Sequence, residues 1–182
     1  MFRRFRNPAS NGTALGPAQM ELLHQANQFL TSGQPGKAAP LFARLAGAME
    51  SEKHPRRAAN LHAQAANAYV DSQAEQSALA HARSALTLFI QYQMMQRTPV
   101  FYANITRKLI SHGMKASADT LVREFGPLVG GMPIPDQPAA QQHASLPTNC
   151  PKCGAPLNPT EASWVDSNTA ECAYCGAAIR AG

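Results

Sequence analysis

Two pairs of cysteines limit most firmly how this chain can fold. Cys150-Pro-Lys-Cys153-Gly154 and Cys172-Ala-Tyr-Cys175-Gly176 hold all four cysteines of the 182 residues, with 18 residues between the pairs. A two-residue gap lets one tight turn aim both sulfurs at a single ion, and four thiolates are the number a tetrahedral zinc requires. Gly154 and Gly176 each follow a second cysteine, where the backbone must turn sharply and a Cβ would obstruct it. Between the pairs, Ala162–Val165 and Thr169–Cys172 read as two short strands joined by the polar turn Asp166-Ser-Asn168. A segment this short cannot bury enough apolar surface to fold unaided, so its stability must come from the metal.

This pattern resembles a zinc ribbon across residues 148–182. The resemblance implies one structural Zn2+ held by Cys150, Cys153, Cys172 and Cys175. Three other uses of the cysteines fit less well. Paired disulfides call for an exported protein, and the start Met-Phe-Arg-Arg-Phe-Arg-Asn-Pro has no apolar core behind its basic flank. A redox pair needs one C-x-x-C on a strand-to-helix turn, whereas here there are two, each followed by glycine. A catalytic zinc needs an open position, and four cysteines close the site.

Alanine dominates the chain up to residue 126 and sets a helical texture. Leu22, Ala26, Phe29 and Leu30 recur at helical spacing, as do Ala38, Phe42, Leu45 and Ala46. Pro17, Pro35, Pro55 and Pro99 suit first helical turns, with Thr98 as N-cap before Pro99. The expectation is six helices over 17–31, 35–51, 55–72, 74–96, 98–112 and 115–125, successive ones antiparallel. Shifting the sequence by 40 aligns Ala38, Ala78 and Ala118, and likewise Phe29, Tyr69 and Leu109. Three helical hairpins of one design follow from that shift, giving a mainly α fold with a small β module.

The residues in the first hairpin resemble a tetratricopeptide repeat. Ala26, Phe29, Gly33, Ala38 and Phe42 keep that family's order of small residue, aromatic, turn glycine and small residue. Ala66, Tyr69 and Ala78 repeat it, and Leu109, Gly113 and Ala118 keep part of it. The period of about 40 residues departs from the family's shorter one and implies longer helices. The resemblance implies a concave groove for a peptide, into which Asn27, Asn67 and Arg107, equivalent under the shift, would project. Two amides and a guanidinium in a row can satisfy the polar backbone or a carboxylate of an extended ligand. Leu23 stands where the carboxylate-binding members carry lysine, which weighs against recognition of a terminal carboxylate.

The domain organisation expected is therefore a basic, flexible N-terminus over 1–16, a helical-repeat domain over 17–126, a Pro/Gly/Gln-rich linker over 127–147 and a zinc ribbon over 148–182. The prolines of the linker deny it regular hydrogen bonding. Such a linker is expected to keep the two cores separate, so that damage to one does not reach the other. Charge is divided as sharply as structure. Residues 17–126 carry eleven Lys/Arg against seven Asp/Glu, whereas 127–182 carry two against four.

No phosphate-binding glycine loop, nucleophile elbow or H-E-x-x-H motif occurs, so no enzyme is expected. No run of apolar residues is long enough to span a membrane, and a cytoplasmic location is expected. The functional expectation is a non-enzymatic adaptor, with one protein or peptide in the helical groove and room for a second protein at the zinc ribbon. The alternative is a zinc-ribbon regulator that binds nucleic acid, disfavoured because the ribbon is acidic and phosphate binding needs a basic surface. Recruitment of a ubiquitin-conjugating enzyme is weaker still, because RING modules use eight ligands and this chain offers four cysteines.

Overall fold

Turn geometry sets the period of the helical part. The computed structural model describes residues 15–130, 145–157, 163–164, 168–172 and 174–182. Its helices are α1 (Pro17–Thr31), α2 (Pro35–Ser51), α3 (Pro55–Asp71), α4 (Glu75–Gln91), α5 (Arg97–Ser111) and α6 (Lys115–Val129). Between them Gly33, Lys53, Gln73, Gln93 and Gly113 take the left-handed conformation, with φ of 70°, 62°, 61°, 53° and 82°. These positions lie 20 residues apart without exception. Each turn closes alike: the left-handed residue's N–H returns to the carbonyl three positions back, and the next N–H reaches five back, as in Gln34 to Phe29 at 2.8 Å and Met94 to Phe89 at 2.8 Å. Orphan carbonyls at the ends of α1 to α5 are thereby satisfied.

Proline opens α1, α2 and α3 at the first helical position, where its missing N–H has no partner to lose. Two expected helix ends move. α4 stops at Gln91 rather than 96, because left-handed Gln93 closes it without a glycine to announce the stop. α6 runs through Pro127 to Val129 because Ala118, Leu121, Phe125 and Val129 form one continuous buried stripe. Burying Val129 contributes about 1.5–3 kcal/mol, comparable to the ~3 kcal/mol an interior proline costs. Thr98 is not an N-cap either. It is fully buried inside α5, and its hydroxyl donates to the Met94 carbonyl at 3.0 Å.

Alanine allows the helices to approach closely. Ala38, Ala58, Ala78 and Ala118 occupy one position of the 20-residue period, and all are fully buried, with Thr98 in the same register. Small side chains there let neighbouring backbones come near enough for the larger Phe42, Leu45, Leu61, Leu86 and Leu121 to fill the remaining space. Two main cores result. One spans α3 to α6 through Ala66, Val70, Leu86, Ile105, Leu109 and Leu121. The other joins α1, α2 and α3 through Leu23, Phe42, Leu45, Met49 and Leu61, and it continues into the cysteine segment.

That segment holds three short antiparallel strands, β1 (Ser163–Trp164), β2 (Thr169–Glu171) and β3 (Ala178–Arg180), in the order β1-β2-β3. β1 and β2 fall within the two expected strands, with Trp164 opposite Ala170. β3 was not expected; Ile179, its single buried residue, sits opposite Ala170. The basic N-terminus and most of the 127–147 linker lie outside the described residues. The expected separation of the two cores does not hold. Cys150, Cys153, Cys172, Tyr174, Cys175 and Ile179 belong to the same apolar cluster as Leu23, Ala26 and Leu61. The acidic C-terminal module is seated on α1 and α3.

Candidate metal centre

Each C-x-x-C segment folds into the same tight turn. The Gly154 N–H donates to the Cys150 carbonyl at 2.8 Å, and Gly176 to Cys172 at 2.9 Å. The first cysteine of each pair donates its own N–H onward, Cys150 to Ala155 and Cys172 to Ala177, both at 2.8 Å. Gly154 and Gly176 have φ of 73° and 71°, the left-handed turn that aims both sulfurs of a pair inward. The Asn149 side chain donates to the Gly154 carbonyl at 3.0 Å and fastens the first turn from outside.

The four sulfurs meet at one point. All lie within 4.8 Å of one another, and Cys150–Cys175 and Cys153–Cys172 are each 3.8 Å apart. A tetrahedral ion with metal–sulfur bonds of about 2.3 Å needs sulfurs about 3.8 Å apart. A disulfide needs about 2.05 Å, and all four cysteines are free. The cluster is closed to solvent, with each cysteine no more than 2% exposed. Hydrogen bonds from Cys153, then Cys172 and Cys175, hold the Cys150 thiol far below its usual range, while the same contact with Cys150 pushes Cys153 far above its own. Sulfurs this close cannot all ionise without a cation among them. The four buried cysteines can therefore hold a metal ion, and among the described residues no other group of His, Cys, Asp or Glu is so arranged.

The helices supply the surroundings of this site. Asn27 on α1, only 5% exposed, donates from Nδ2 to the carbonyl of Cys153 at 2.8 Å. On α3, Gln64 donates to the Tyr174 hydroxyl at 2.8 Å, and Arg57 lies 4.0 Å from Glu171. Both turn glycines face the helices. A Cβ on Gly154 would stand 3.6 Å from Asn27 Cβ, and one on Gly176 would collide with the Arg57 guanidinium. The first cysteine turn thus rests on α1 and the second on α3.

The residues Asn27, Asn67 and Arg107 do not act as one set here. Asn27 serves the cysteine module, Asn67 donates to Ala63 of its own helix at 3.0 Å, and Arg107 reaches Asn104 at 3.4 Å on the exposed side of α5. Arg57, Gln64 and Tyr174 were missed by sequence reasoning. A signal existed for the first two: Arg57, Leu61 and Gln64 lie four and three apart, one polar-edged stripe of α3. A pair of histidines, one buried and one half-buried, was missed as well. His62 Nδ1 and His81 Nδ1 are 2.8 Å apart, His62 faces Glu50 at 3.3 Å, and Tyr69 stacks on His81.

Comparison with protein families, curated proteins and solved structures finds no match for this chain. No helix among the described residues is long and apolar enough to cross a membrane.

Proposed function

We propose that this protein is a non-enzymatic adaptor, a tetratricopeptide-like helical array whose C-terminal zinc ribbon is held by one structural Zn2+ on Cys150, Cys153, Cys172 and Cys175. An all-thiolate, tetrahedral and closed donor set suits zinc and leaves no position for a substrate. Four reduced thiols also suit a reducing compartment such as the cytoplasm. One observation carries the adaptor reading: the α1–α3 side already binds polypeptide. Asn27 donates its side-chain N–H to a backbone carbonyl of the chain's own segment, an acceptor that any extended peptide can offer. Asn67 on α3 and Arg107 on α5 occupy the same repeat position, and a partner segment would engage them there.

Affinity capture from native cells tests this. The full chain should enrich protein partners, and Asn67→Ala with Arg107→Ala should release them with little change in melting temperature, because neither side chain supports the core. Retention of all partners by the double variant counts against the groove. The nucleic-acid alternative predicts something else: DNA or RNA affinity that falls steeply, by 10³-fold or more between about 50 and 200 mM salt, for a site making six or more phosphate contacts. A shallow dependence supports the adaptor.

A further inference from the structure

The seating of the ribbon on α1 and α3 depends on the shape that the metal imposes. The cysteine turns hold their geometry because four sulfurs meet, and each turn touches a different helix: Gly154 against Asn27 of α1, Gly176 against Arg57 of α3. Without the ion, nothing prevents four converging thiols from separating, and the contact surface is lost with them. Charge adds one ion pair to this fit, Arg57 with Glu171; the seat itself is nearly balanced, with five Lys/Arg against four Asp/Glu over residues 17–71.

We propose that metal binding gates the seating of the ribbon: the loaded ribbon occupies the α1–α3 face through Asn27, Arg57 and Gln64, and metal release frees it from them. Coupling runs both ways, because contacts that favour the loaded ribbon must raise its affinity for the ion. Asn27 and Gln64 are thus positioning residues for the metal, acting through Cys153 and Tyr174.

The gate rests on the proposed zinc ribbon and not on the adaptor reading, and its test needs no cellular partner. Hydrogen exchange of the full chain, zinc-loaded and then stripped with a chelator, should speed up most in residues 20–30 and 56–66 and least in 100–125. In competition with a colorimetric chelator, Asn27→Ala should weaken zinc binding about 10- to 100-fold. Gln64→Ala should weaken it in the same direction, while Asn67→Ala, at the equivalent repeat position, should leave it unchanged. Unchanged exchange on stripping, or equal zinc affinity in the Asn27 and Asn67 variants, overturns the gate. An open gate with no cellular partner captured would instead remove the adaptor reading and leave the gate standing.

Discussion

Single residues in this protein carry more than one duty. Gly176 turns the second cysteine pair and also lets Arg57 lie against it. His62 is 6% exposed, and its Nδ1 faces His81 Nδ1. One imidazole must donate and the other accept, so the pair is satisfied only while at least one ring stays neutral. Burial lowers the pKa of both, and the charge of His62 lowers His81 further, while Glu50 of α2 partly opposes the shift. The unfolded chain therefore binds more protons than the folded chain below the ordinary histidine value of 6.5. Stability is fully present above that pH and is lost as pH falls through it toward the lowered folded values. Melting temperatures measured from pH 7.5 to 5 should decline, and the decline should be smaller in the variant carrying His62→Gln and His81→Gln. An equal decline in both proteins would place the acid sensitivity elsewhere.

At the scale of elements, the 20-residue spacing of left-handed turns imposes a backbone penalty that differs with the residue. Gly33 and Gly113 adopt φ > 0 freely, whereas Lys53, Gln73 and Gln93 do not. Lys53→Gly and Gln93→Gly should each raise stability by about 1 kcal/mol, and Gly33→Ala should lower it by a similar amount. The added Cβ at Gly33 meets nothing within 4 Å, so only the backbone is tested. Denaturant midpoints check both signs, and a stabilising Gly33→Ala would contradict the turn geometry. These same turns show what the sequence could reveal. Prolines and apolar spacing mark helix starts and faces directly, so six helices were legible. The end of α4 was not, because Gln93 turns the chain without the glycine that would announce it. The cysteine spacing revealed the cluster, since two residues between ligands is a local constraint. Its seat on α1 was hidden, because Asn27 and Cys153 are 126 positions apart and no periodicity links them.

The whole molecule is more tightly joined than its proline-rich middle suggests. Leu23, Leu61, Cys150 and Tyr174 share one apolar cluster, so the ribbon's metal and the first helices are stabilised together. An ion bound only by the folded state adds about 4 kcal/mol when present at a thousand times its Kd. In a chain of this size each kcal/mol moves the melting temperature by about 2–4 °C. Helix melting, followed by far-ultraviolet circular dichroism with zinc and then with excess chelator, tests this union most directly. The predicted result is a helical transition about 8 °C or more lower once the metal is removed. A helical transition at the same temperature in both conditions would contradict it.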